Sequence, residues 1–153
     1  MKENHKLISN IVNAVLFLSI FLAVLYPSID PDLGWHLKYG EYFFENGHIL
    51  RDNIFSVLMP DYKWNNSSWA TDLISYQVFK SFGFIGISVF GALIVTLTFF
   101  IIGKAAKLNL FEKSIIFPII VFLISPVNLI SFRGQQVTLF LLTAMYLALS
   151  RYA

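Results

Sequence analysis

Asp30 and Asp32, separated only by Pro31, are followed four residues later by His36. Two carboxylates beside an imidazole can do two kinds of chemistry. They can take and return protons during group transfer, and they can hold a divalent cation through oxygen and nitrogen. Residues four apart share a helix face, so Asp32 and His36 are placed to share a proton or a metal, and Asp30 could join Asp32 as a second ligand to Mg²⁺ or Mn²⁺. A plainer use of the same residues is local. Asp-Pro is a helix start, with Asp30 as N-cap, Pro31 at the first helical position and Asp32 in the first turn, where a carboxylate offsets the helix dipole. The two uses are compatible. Further along, Trp64 and Trp69 offer aromatic faces for a sugar or an isoprenoid, or anchors at a membrane interface. Arg133 offers a cation for a phosphate, or a side chain that snorkels to an interface. Asn65-Asn66-Ser67 and Asn66-Ser67-Ser68 have the form of N-glycosylation acceptors.

These residues need elements to hold them. From Asp30 a helix is expected to run to Asn46, with Gly47 as its stop. Its apolar positions Leu33, Leu37, Phe43 and Phe44 are interleaved with Trp35, Tyr39 and Tyr42, a pattern suited to lying flat on a membrane surface. A second helix is expected to start near Ser67 or Ser68, to carry Asp72 in its first turns, and to merge through Gly83 with the apolar segment that follows.

The rest of the chain is apolar. Of 153 residues 57% are hydrophobic and 13% are charged, more apolar surface than a soluble domain of this size could bury. The segments 7–29, 81–103, 114–132 and 134–150 carry no Asp, Glu, Lys or Arg. Since a spanning helix needs about 17–25 mainly apolar residues, the expectation is an all-α polytopic membrane protein. It forms one membrane domain over 1–153, with about four spans at 7–29, 84–102, 114–130 and 137–150 and an outer loop at 30–82 holding juxtamembrane amphipathic helices. Pro118 and Pro126 should kink or shorten the third span. The first segment is too long for a signal-peptide core and lacks a cleavage site of small residues, so it reads as an uncleaved span.

Charge sets the orientation. With the N-terminus in the cytoplasm, the inner segments sum to +4 and the segment 30–80 to −3, as the excess of Lys and Arg in cytoplasmic loops demands. The expected location is therefore the cell membrane, multi-pass, with loop 30–82 extracytoplasmic. Cysteine is absent, which excludes disulfides and thiolate metal sites. The basic residues are scattered, so nucleic acid is not an expected partner. No ionisable residue sits in mid-span, which disfavours a transporter.

The loop resembles a known family. Asp30, Asp32, Trp35, His36, Leu37, Gly40, Gly47, Asp52, Phe55, Ser56, Trp64 and Trp69 stand in the order and spacing of the first outer loop of the GT-C superfamily. These are membrane glycosyltransferases that use polyprenyl-phosphate sugars. Arg133-Gly134-Gln135 is similar to an Arg-Pro-Gln of that family, with Gly134 in place of proline, and Ser67-Ser68 stand where members often have His-Glu. The resemblance implies that Asp32, fifteen residues before Gly47, is the acidic residue that acts as general base toward the acceptor or as ligand to a divalent metal. Asp30 and His36 would assist it, and Trp35, Trp64, Trp69 and Arg133 would lie on the substrate side. It further implies a polyprenyl-phosphate-linked sugar as donor, transfer on the extracytoplasmic face, and eleven or more spans, so that 1–153 would be the N-terminal part of a larger transferase and inactive alone. The alternative is a small non-catalytic polytopic protein that binds lipid or a partner.

Overall fold

A computed structural model describes residues 2–28, 30–55, 57–58, 62–63, 65–124 and 132–150. The architecture is all-helical, in the order α1 (Lys2–Val24), α2 (Leu33–Asn46), α3 (Trp69–Ala105), α4 (Leu110–Ile124) and α5 (Gly134–Leu149). Among the described residues there is no strand, only a single antiparallel bridge between Asp52 and Lys63, closed by an ion pair between the same side chains.

Among the described residues two helices, α1 from Glu3 onward and α3, are long and apolar enough to cross a membrane. The charge-free segments predict about four. The remaining two are shorter: α4 has 15 residues and α5 has 16. At 1.5 Å per residue α5 reaches about 24 Å, less than the ~30 Å hydrocarbon core, and α4 is described as far as Ile124. Pro118 lies inside α4 without ending it. Pro126, with the rest of 125–131, lies outside the described residues.

The first helix is displaced toward the N-terminus relative to 7–29. It ends at Val24, and the chain then tightens, with Leu25 N–H donating to Leu22 and Tyr26 N–H to Val24. Pro27 is the cause: the residue before a proline is pushed out of helical geometry. The start of α2 also differs from expectation. Asp32, not Asp30, is the N-cap position and makes no side-chain cap bond. Asp30 Oδ1 instead accepts the Asp32 N–H at 3.2 Å, closing the turn that leads into the helix. The far end is as expected, with Gly47 left-handed and its N–H on the Phe43 carbonyl. Helix α4 starts on a reciprocal capping box. Asn109 Oδ1 accepts the Glu112 N–H at 3.0 Å, and Glu112 Oε2 accepts the Asn109 N–H at 2.7 Å.

Gly83 divides α3. Its φ of 64° and ψ of −157° are non-helical, a conformation open to glycine and strained for other residues. The stretch 69–82 belongs to the polar end of the molecule, and 84–105 is the apolar segment. Helix α2 does not lie free on a surface. It packs along 69–82, with Leu33 and Gly40 buried.

Two apolar clusters hold the helices. Ile20 and Val24 of α1, Ala92, Val95 and Phe99 of α3 and Phe117 of α4 form one. Leu33 of α2, Ile87 and Ile94 of α3 and Phe132 before α5 form the other. Ser28 Oγ donates to the Phe132 carbonyl at 3.3 Å, tying the segment after α1 to the start of α5.

Candidate functional site

The site is built where α2 crosses the first turns of α3. Gly40 lies one turn beyond His36 and sets the distance between the helices. A Cβ there would collide with Tyr76 Cβ and the Asp72 carbonyl. Only glycine permits this approach, and the approach brings His36 to Asp72. His36 Nδ1 and Asp72 Oδ1 are 2.7 Å apart. The other carboxylate oxygen, Oδ2, accepts from Asn66 Nδ2 at 2.6 Å. Asn66 Oδ1 in turn accepts the Ser68 N–H at 2.9 Å, so both ends of the Asn66 amide are engaged.

Asp72 is only 1% exposed. A carboxylate so placed is sustained by partners on both oxygens and by its position in the first turn of α3, where the helix dipole favours negative charge. The effect on His36 is direct. Its pKa is raised above the ordinary histidine value, chiefly by the Asp72 hydrogen bond. Burial opposes this, and the charges of Asp72, Asp30 and Asp32 add to it. Tyr39 is also pushed up, by burial and then by the Asp72 charge.

His36 and Asp32 line two adjoining cavities. The larger, about 680 Å³, is walled by Trp35, Tyr39, Asn53, Tyr62, Asn65 and Asn66 with Ser67 and Ser68. Trp35 stands against the Phe55 ring at 5.7 Å. The smaller, about 380 Å³, adds Asp30, Thr71, Arg133, Gly134, Gln135 and Thr138 to Asp32 and His36. Arg133 comes from the start of α5. Its Nε is 3.7 Å from Asp30 Oδ2, an ion pair too long for a hydrogen bond. That Nε is buried without a hydrogen-bond partner among the described residues. An orphaned guanidinium donor beside a cavity is chemically suited to an anionic oxygen.

Asp30, Asp32 and His36, close in sequence, are thus joined by Arg133 from the far end of the chain. Trp35 lines the larger cavity. Trp69 heads α3, is exposed, and lines neither cavity. Trp64 and Ser56 lie outside the described residues. His36 pairs through Nδ1 with Asp72, not with Asp32, because the close α2–α3 crossing offers a buried carboxylate that the shared helix face does not.

The site as read from the sequence lacked Asp72 and assigned Asn66 only to a glycosylation pattern. A signal was present: Asp72 is the only acid between Asp61 and Glu112, and it stands at the head of an apolar helix. Among the described residues no group of three or more His, Asp or Glu converges as a metal set. Asp30 faces Arg133 and His36 Nδ1 faces Asp72, which leaves a cation Asp32 and His36 Nε2 at most.

No protein-family model, curated protein or solved structure matches the chain.

Proposed function

We propose that the chain belongs to a membrane glycosyltransferase that moves a sugar from a polyprenyl phosphate to an acceptor at the extracytoplasmic face. The observation that carries this reading is the meeting of Asp30, Asp32, His36 and Arg133 around one cleft. Transfer of this kind needs a base for the acceptor, cations for the departing phosphate, and a wall against which the sugar can rest. The order and spacing of the loop residues support the same reading.

In the proposed reaction the acceptor hydroxyl oxygen bonds to the anomeric carbon of the sugar while its proton passes to the Asp32 carboxylate. The bond between that carbon and the phosphate oxygen breaks, and polyprenyl phosphate leaves with the electron pair. Arg133 and protonated His36 meet the negative charge of the leaving group. Asp30 holds Arg133 at the cleft. Trp35 gives the larger cavity an aromatic wall for the sugar.

Under the same proposal α1 and 84–105 cross the cell membrane, with the N-terminus cytoplasmic and the α2–α3 loop outside. A reporter inserted between α2 and α3 is expected to read extracytoplasmic, and one after Lys107 cytoplasmic. The reverse pattern puts the cleft on the wrong side for this donor and overturns the topology.

The decisive experiment follows sugar transfer from a panel of labelled polyprenyl-phosphate sugars in membranes holding the chain as its gene encodes it. Asp32→Asn is expected to lower the rate by about 10²–10⁴-fold, the usual contribution of a general base, at unchanged protein level. Near-normal transfer by the variant overturns the role of Asp32.

A further inference from the structure

Asp72 takes no part in the transfer as described, yet it is the most deeply buried charged side chain among the described residues, at 1% exposure. Both oxygens are filled, Oδ1 by His36 Nδ1 and Oδ2 by Asn66 Nδ2. A carboxylate accepts and does not donate, so Nδ1 carries the proton in neutral and cationic His36 alike. The imidazole is thereby fixed in one tautomer, and its remaining nitrogen is Nε2. A histidine serving only the core would have both nitrogens bonded within the protein. His36 has no protein partner at Nε2 among the described residues, keeps 32% of its side chain exposed, and lines both cavities with Asp32.

We propose that Asp72 is a positioning residue that holds His36 through Nδ1, so that Nε2 is presented to a phosphate oxygen in the cleft. This rests on the glycosyl-transfer reading for the source of the phosphate, but the pairing and the anion it presents to can be tested without transfer. The charged and titratable groups around the imidazole are Asp30 and Asp32 from the turn before α2, Tyr39 on α2, Asp72 on α3, and Arg133 before α5. Of these, Asp72 touches it directly. The raised pKa of His36 accords with the geometry: the Asp72 hydrogen bond outweighs the desolvation of the ring. A cationic Nε2–H donates to an anionic oxygen, while a neutral Nε2 accepts and repels it.

The test uses the detergent-solubilised full chain and diethyl pyrocarbonate, which modifies neutral imidazole, with the labelled histidines identified by mass spectrometry across pH. His48 is the internal control. It lies on the loop after α2, bonded through Nδ1 to the Asn46 carbonyl and through Nε2 to Tyr42. In Asp72→Asn the midpoint for His36 modification is expected to fall to lower pH while that of His48 stays. An unchanged His36 midpoint in a variant with unchanged His48 overturns the proposal. If Asp72→Asn disturbs His48 as well, the unmutated chain provides the second reading: its His36 midpoint is expected to lie above the ordinary histidine value of 6.5, and a midpoint at or below that value overturns the proposal.

Inorganic phosphate is expected to slow His36 modification in the unmodified chain below its midpoint and to lose that effect in Asp72→Asn. A midpoint shift without phosphate protection overturns the anion-presenting role. Protection by phosphate with no transfer from any polyprenyl-phosphate sugar rejects the transferase reading and leaves the role of Asp72 supported.

Discussion

The polar end of the molecule and the apolar helix α1 treat their side chains in opposite ways. Where α2 crosses 69–82, charge is inside: Asp72 is buried with its partners, and Arg133 Nε is buried beside Asp30. Along α1, apolar side chains are outside, with Leu7, Ile11, Val15, Leu18 and Leu22 all exposed, and only Ile20 and Val24 are buried in a cluster. Water alone does not favour both arrangements, since a helix exposed as apolar surface over its length would aggregate. The proposed bilayer around α1, with an aqueous face for the α2–α3 end, would reconcile them. The difference teaches that burial must be judged against the medium each region meets.

The largest expected effect breaks that comparison directly. Val15 and Ile54 are nearly equal in exposure, 56% and 57%. If the two regions meet the same solvent, arginine is tolerated equally at both. If α1 meets lipid, Val15→Arg costs about 2.5–3.5 kcal/mol at mid-helix, while Ile54→Arg on the loop changes little. The measurement is the fraction of chain resisting alkaline extraction from membranes. Equal behaviour of the two variants overturns the placement of α1 in a bilayer.

A somewhat smaller effect is expected at the helix crossing. Gly40→Val places a branched side chain against Tyr76 Cβ and the Asp72 carbonyl, and backbone does not yield as a flexible side chain would. Overpacking of this kind costs about 1–3 kcal/mol, and here it also pulls His36 from Asp72. Limited proteolysis is expected to cut within α2 in the variant and to leave α1 and 84–105 intact. Uniform loss of protection would mean that the two regions unfold as one.

These contrasts also show what could be read from the residues alone. Gly47 was legible as a helix stop and Gly83 as the join between polar and apolar segments, because only glycine adopts their backbone angles without strain. The gathering of Asp30, Asp32 and His36 was legible because seven consecutive residues hold all three. Arg133 was legible as a cation suited to phosphate, but its partner Asp30 was not. The His36–Asp72 contact was not legible, since it joins residues 36 positions apart through a crossing that Gly40 permits and no local pattern encodes. The same crossing explains why α2 packs on α3, although its aromatic pattern also suits a membrane surface. The four charge-free segments looked equivalent, yet among the described residues α5 forms a shorter helix than charge counting implies, and α4 is described only to Ile124. Absence of charge permits a span and does not set where a helix begins or ends.

The third effect depends on pH. Because Asp72 raises the His36 pKa in the folded chain, protonation of His36 stabilises the docking of α2. The contribution is fully present below the ordinary histidine value of 6.5 and is lost as pH rises through the higher folded value. Thermal unfolding of the polar end is therefore expected to occur at lower temperature as pH rises through that window, and His36→Gln is expected to flatten the dependence. A polar end that gains stability over the same range would contradict the direction of the pair. Among the described residues the apolar cluster around Phe99 and Phe117 contains no titratable side chain and is expected to be indifferent.

The smallest expected effect refines the meaning of buried charge. Asp52 and Lys63 also form an ion pair, across the loop that walls the larger cavity, but their side chains are 62% and 79% exposed. Water and salt screen such a pair, and holding a long lysine in one geometry costs entropy. Lys63→Ala is expected to alter thermal stability by at most about 1 kcal/mol, with the difference vanishing in high salt. The Asp72 side of the His36 contact is shielded from solvent, so the effect of Asp72→Asn on the pH profile is expected to persist at the same salt concentration. Should Lys63→Ala prove the more damaging change, the loop would be held by its ion pair, and the contrast between screened and buried charge would have to be redrawn around Asp52 and Lys63.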